Sequence, residues 1–138
     1  MMTFQLHPRL AADCHLIGHF ELCQLLLMND CHYPWFILVP QRADKQEIYQ
    51  LTHTEQVVLM EESSYVAENL ADLFQADKMN IATIGNLVPQ LHIHHIVRYQ
   101  HDKSWPAPVW GKFAAEPYEE KQLADCLSRV RSRLTRLS

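Results

Sequence analysis

The chain has 138 residues, 48% of them hydrophobic, which suffices for one core without staples and predicts a single domain over residues 1–138. Twelve basic against sixteen acidic residues leave a formal charge of −4, which excludes a general attraction to nucleic acid or to an anionic membrane. The apolar runs are far too short to span a bilayer, the N-terminus lacks the basic-then-apolar order of a signal peptide, and the four cysteines form no CxxC pair. These features predict a cytoplasmic protein with free thiols.

Thr3 to Leu6 alternates enough for a short strand, and the polar stretch up to residue 19 carries little signal. Leu22 to Met28 is almost continuously apolar and stops at Asn29-Asp30; after a turn ending at Pro34, Trp35 to Val39 is apolar again and stops at Pro40. That spacing predicts an antiparallel hairpin. A short helix is expected around Glu47 to Leu51. Thr52 and Glu55 then have capping-box spacing, and Leu59, Val66, Leu70 and Leu73 recur at helical intervals through Phe74. This is the longest predicted helix, laid across one face of the sheet. Lys78 to Ile84 reads as a third strand, and Gly85-Asn86 breaks the chain before a fourth, Gln90 to Tyr99.

Side chains along that last strand point alternately to its two faces. Gln90, His92, His94, Ile96 and Arg98 share one, and Leu91, Ile93, His95, Val97 and Tyr99 the other. Two imidazoles aligned beside an amide and a guanidinium suggest chemistry, because histidine exchanges its proton near neutral pH. Buried structural histidines are the bland alternative. A zinc or iron site on His92 and His94 needs a third and fourth ligand, and none falls at an obvious spacing. Trp105 to Trp110, with two prolines between, is an ordered loop that either packs over the sheet or a partner subunit, or forms an aromatic wall for a ligand. Pro117 opens the last helix, with Glu119 and Glu120 in its first turn and Leu123, Cys126 or Leu127, Val130, Leu134 and Leu137 along its apolar stripe.

The run Gly85-Asn86-Leu87-Val88-Pro89-Gln90-Leu91-His92-Ile93-His94-His95-Ile96-Val97-Arg98 resembles the signature strand of the histidine-triad (HIT) family, His-φ-His-φ-His-φ-φ with φ apolar. The hairpin ending in Asn29 and Val39-Pro40, the capped helix and the glycine-amide turn follow in that family's order, over roughly residues 22–99. The resemblance implies an α+β fold: an antiparallel meander sheet with a central helix and a C-terminal helix, usually paired as a homodimer. It implies a nucleotide or nucleotide conjugate as ligand, no cofactor, and attack on the α-phosphorus by the middle histidine to give a nucleotidyl-histidine. That histidine falls on His92, and the third on His94. By the same resemblance Asn86 and Gln90 contact phosphate, Asn29 the ribose, and Asn80 joins them.

Two positions depart from the family. Its first histidine is Gln90, and the histidine of its second hairpin strand is Trp35. The residues therefore leave two outcomes open beside each other, a hydrolase or transferase and a nucleotide-binding module without turnover. His95 restores the triad only through a bulge, since its side chain belongs to the opposite face.

Overall fold

The structure is a computed structural model and describes residues 3–138. Helix α1 spans Pro8–Asp13, strand β1 Cys14–His19, β2 Cys23–Met28 and β3 Trp35–Pro40; a single 3-10 turn, Ile48–Gln50, leads into α2, His53–Phe74, followed by β4 Lys78–Ala82, β5 Ile93–Arg98 and α3 Glu120–Arg133. All strand pairs are antiparallel, in the spatial order β1-β2-β3-β5-β4. The α+β architecture with a central and a C-terminal helix is the one expected.

The sheet has two covered faces, and this explains its continuous apolar strands. Every residue of β3 is buried. Phe36 and Leu38 face α2 and α3, where they join Leu25, Leu27, Leu59, Val66, Leu70 and Val130 in the larger core. Trp35, Ile37 and Val39 face the other way, into a smaller core that α1 closes with Leu10 and the loop after β5 closes with Val109. Among the described residues no helix is long and apolar enough to cross a membrane.

Helix α2 starts where its capping box predicts: Thr52 Oγ1 accepts from the Glu55 amide at 3.1 Å and Glu55 Oε1 from the Thr52 amide at 2.8 Å. Within it, the buried Glu62 carboxylate accepts from the amides of Leu22 and Cys23 at 2.8 and 2.9 Å, pinning the start of β2 beneath the helix.

Several elements differ from their expected bounds. Thr3 to Leu6 is irregular; its backbone serves a side chain of the site, described below. Helix α1 and strand β1 were not expected at all. β1 bends at a register shift between Leu16 and Gly18, where a Cβ on Gly18 would stand 3.1 Å from the carbonyl of Ser138. The chain end pairs with β1 there through His19 and Ser138, in both directions. β4 ends at Ala82, two residues early, and α3 begins at Glu120, three residues after Pro117. β5 starts at Ile93, not Gln90, because the β3 ladder runs out at the Leu38–Ile93 pair. The Leu91 amide donates instead to Lys45 in the loop beyond β3.

The face assignment along β5 holds. His95, fully buried, points at α2, where its Nε2 meets Ser63 Oγ at 2.7 Å and its Nδ1–H donates to the Ile93 carbonyl at 3.0 Å. Burial pushes its pKa down from 6.5 to about 4, with the Ile93 carbonyl pulling weakly the other way. Between those two values the unfolded chain binds the proton and the folded one does not, so stability is complete above pH 6.5 and falls as pH approaches 4. The expected result in urea titrations is a midpoint that declines from pH 7 to pH 4.5, at up to about 1.4 kcal/mol per pH unit for each such histidine. A midpoint flat across that range would contradict the buried neutral ring.

Candidate active site

The site forms where β5 begins, on the sheet face away from α2. His92 precedes the strand and His94 lies within it, opposite Ile37 of β3 and Ala82 of β4. Both rings are about 95% buried, and they meet edge to face with centroids 4.9 Å apart.

Hydrogen bonds fix the tautomer of each ring. The Trp35 indole N–H donates to His94 Nδ1 at 2.9 Å, so a neutral His94 carries its proton on Nε2. Burial, then His92, lowers the His94 pKa to about 3, despite the Ile84 carbonyl near the ring. His94 is thus an uncharged donor at neutral pH. His92 Nδ1 lies 2.7 Å from the backbone carbonyl of Gln90, which can only accept. The proton therefore sits on Nδ1, and Nε2 keeps its lone pair. No described group hydrogen-bonds to that Nε2. Burial also lowers the His92 pKa, partly offset by the Gln90 carbonyl. The Gly85 turn passes close by: a Cβ there would stand 3.9 Å from His92 Cε1 and 3.0 Å from the Val88 carbonyl oxygen.

Trp35 thus supports the third histidine of the motif, not the middle one. Trp35→Phe is expected to leave His94 Nδ1 buried without a donor and to cost about 1–3 kcal/mol, read as a lower urea midpoint at pH 7. An unchanged midpoint would mean that the indole hydrogen bond carries no stability.

Two adjoining cavities open here, and the smaller one is lined by both rings. The smaller, about 380 Å³, is lined by His92, His94, Asn86 and Leu87 among others. The larger, about 480 Å³, is lined by Asn29, Asp30, Trp110 and Phe113 among others. Arg9, Asp13, Met28, Trp35 and Trp110 border both, so the two make one groove. Trp110 stands edge-on to His94 and Trp35, with centroids 5.1 and 5.8 Å away. The loop after β5 is therefore both packing and cavity wall.

Of the six residues singled out from the sequence, the structure brings His92, His94, Asn86 and Asn29 to this groove. Asn29 also accepts from the Tyr118 amide at 3.0 Å, tying the hairpin end to the approach of α3. Asn80 lines neither cavity; its carbonyl oxygen accepts from Arg98 at 2.8 Å. Gln90 turns its amide away from the groove, to the backbone of Gln5 and His7. Among the described residues, no three His, Cys, Asp or Glu side chains gather into a metal-binding group.

Arg9 and Asp13 on α1 were missed as groove residues. Pro8 at a helix N1 position was the available signal, but six residues are too few to display a period.

The HIT domain family model matches residues 9–101. A histidine triad protein from Marinobacter aquaeolei VT8 is 51% identical, with a TM-score of 0.96 over 99% of this chain and 100% of that one. One from Bradyrhizobium japonicum is 40% identical, with a TM-score of 0.94 over 96% and 99% of the two chains. A histidine triad protein from Sinorhizobium meliloti 1021 is 45% identical, with a TM-score of 0.93 over 96% and 98%. No curated protein matches the sequence. A family match over most of the chain, joined to structures this alike over nearly their whole length, places this protein in the histidine-triad family, whose members generally act on nucleotides.

Proposed function

We propose that this protein is a nucleotide phosphohydrolase or nucleotidyl transferase that acts at the α-phosphate through a nucleotidyl-histidine intermediate on His92. The observation that carries this reading is the His92 tautomer. In this chain the residue at the family's first-histidine position, Gln90, meets His92 through its backbone carbonyl, a group that every residue type carries. Replacement of histidine by Gln90 therefore leaves the orientation and protonation of His92 intact.

The chemistry follows from the two rings. The Nε2 lone pair of His92 attacks phosphorus, a P–N bond forms, and the bond to the leaving group breaks with its electron pair on the leaving atom. His92 keeps its Nδ1 proton, so the phosphorylated ring is cationic and a good leaving group in turn. Water then attacks the same phosphorus, the P–N pair returns to Nε2, and the surplus proton passes to solvent. His94, held neutral, offers Nε2–H to a nonbridging oxygen on which charge builds, and Asn86 offers a neutral amide. The larger cavity, with Asn29 at one side and Trp110 and Phe113 as aromatic walls, suits a nucleoside.

The second reading is a nucleotide-binding module without turnover. It is favoured by the Gln90 amide, which supplies neither charge nor contact in the groove. Release of nucleoside monophosphate from adenosine phosphoramidate and from ADP, measured beside AMP affinity, separates the two. Multiple turnovers support the enzyme; AMP bound at micromolar concentration with no product formed supports the module.

We place the protein in the cytoplasm, as a homodimer. Its four cysteines are free, and β4, at one edge of the sheet, leaves Ile81 exposed, as is Ile84 two residues past the strand's end. A monomer by light scattering at micromolar concentration would overturn the dimer.

A further inference from the structure

Gln90 holds the N-terminal segment against the site. Its Oε1 accepts from the His7 amide at 2.9 Å, and its Nε2 donates to the Gln5 carbonyl at 2.9 Å. His7 in turn caps α1, its Nδ1 accepting from the Arg9 amide at 3.1 Å. Leu10, 4% exposed, anchors the helix in the smaller core beside Trp35 and Val88. These contacts set Arg9 at the seam of the two cavities, bordering both.

The Arg9 guanidinium is paired only loosely. Asp13 stands 3.6 Å away, and both side chains are more than half exposed, an ion pair worth little in water. A phosphate, which an arginine can grip with two parallel hydrogen bonds, competes readily for such a group.

The leaving-group side supplies the second observation. Apart from His94, whose Nε2–H is assigned to a nonbridging oxygen, the smaller cavity around His92 presents Ile84, Asn86, Leu87 and Val88, none of which can deliver a proton. Asp13, the one carboxyl there, lies on α1 at the seam shared with the larger cavity, beside Arg9. An amine leaving from phosphorus needs a proton as the P–N bond breaks, whereas a phosphate leaves as an anion and needs a positive charge instead.

We propose that Arg9 is a substrate-binding residue that holds the leaving phosphate, which makes nucleoside diphosphates and phosphate-linked nucleotide conjugates the preferred substrate class. The substrate preference rests on His92 as nucleophile. In the transfer step the His92 Nε2–P bond forms, the P–O bond to the terminal phosphate breaks, and the bonding pair stays on the bridging oxygen beside the guanidinium. Gln90 thus exchanges a catalytic-face histidine for a clamp that brings a permanent cation to the groove.

The test is calorimetric titration of ADP, AMP and adenosine into His92→Ala protein, which does not consume them, with and without Arg9→Ala or Arg9→Lys. Loss of the guanidinium is expected to weaken ADP about ten- to hundredfold, to leave adenosine binding in place, and to be partly restored by lysine. ADP weakened no more than AMP, which carries no leaving phosphate, or no more than adenosine, would overturn the proposal. In turnover, Arg9→Ala should lower kcat/KM for ADP far more than for adenosine phosphoramidate, and an equal fall on both would overturn the assigned preference. Failure of the parent to form any His92 adduct would instead overturn the nucleophile and the substrate preference, while the titration still decides whether Arg9 binds phosphate.

Discussion

His92→Ala is expected to abolish turnover, with kcat/KM for any nucleotide substrate falling by at least about a thousandfold, while the thermal midpoint shifts by only a few degrees. The ring is buried but lies outside the strand ladder, and its single hydrogen bond goes to a carbonyl two residues back. Its removal costs packing at the edge of the core and no long-range pairing. The variant should therefore be a folded protein without a nucleophile, which thermal melting and steady-state kinetics check together. Turnover retained within tenfold of the parent would assign the chemistry to another group.

Arg98→Ala is expected to be the most destabilising single change, at about 3–5 kcal/mol. The guanidinium is 1% exposed. It donates to both carboxylate oxygens of Asp102 at 2.8 and 3.1 Å, to Asn80 at 2.8 Å and to the Ala107 carbonyl at 2.8 Å. Asp102 in turn accepts from the amides of Tyr99, Ser104 and Trp105. Burial pushes the Asp102 carboxyl up, but Arg98 and the Tyr99 and Ser104 amides outweigh it and bring the pKa down to about 2. Removing Arg98 strands a carboxylate in a site closed by Tyr33 and Trp105, whose rings stand 5.8 and 5.7 Å from the guanidinium carbon. A loss of this size is a large part of a typical domain's stability. It should also release the loop that carries Trp110, so activity should fall along with the denaturation midpoint. A loss below about 1 kcal/mol would mean that Asp102 finds solvent and that the network is dispensable.

The parts of this molecule legible in the sequence are those governed by local rules. Period-two alternation put His95 on the face opposite His94, and a helix-borne serine now occupies that side. Capping chemistry placed the start of α2 to the residue. Motif order, carried by resemblance, brought the eye to His92. What could not be read depends on contacts between distant segments. Gln90 looks like a phosphate ligand by position, yet its amide is claimed by backbone 83 and 85 residues away. Asn80 sits on the correct strand but is drawn to Arg98. β1, Cys14–His19, has a glycine and two histidines among its six residues, too weak a pattern for a strand, and exists because β2 offers it an edge to pair with. α1 is too short to stabilise itself and is fixed by Leu10 and by the Gln90 clamp.

The central claim is that a glutamine-headed motif still presents a working nucleophile, because the backbone carbonyl and not the side chain of residue 90 orients His92. Intact-mass measurement tests it most directly, on protein mixed for seconds with adenosine phosphoramidate or ADP and quenched in base, where a phosphohistidine bond survives. The account predicts a mass increase of one adenylyl group that maps to His92 and is retained in Gln90→Ala protein that remains folded. No adduct on a protein that binds AMP, or an adduct mapped to any other residue, would contradict it.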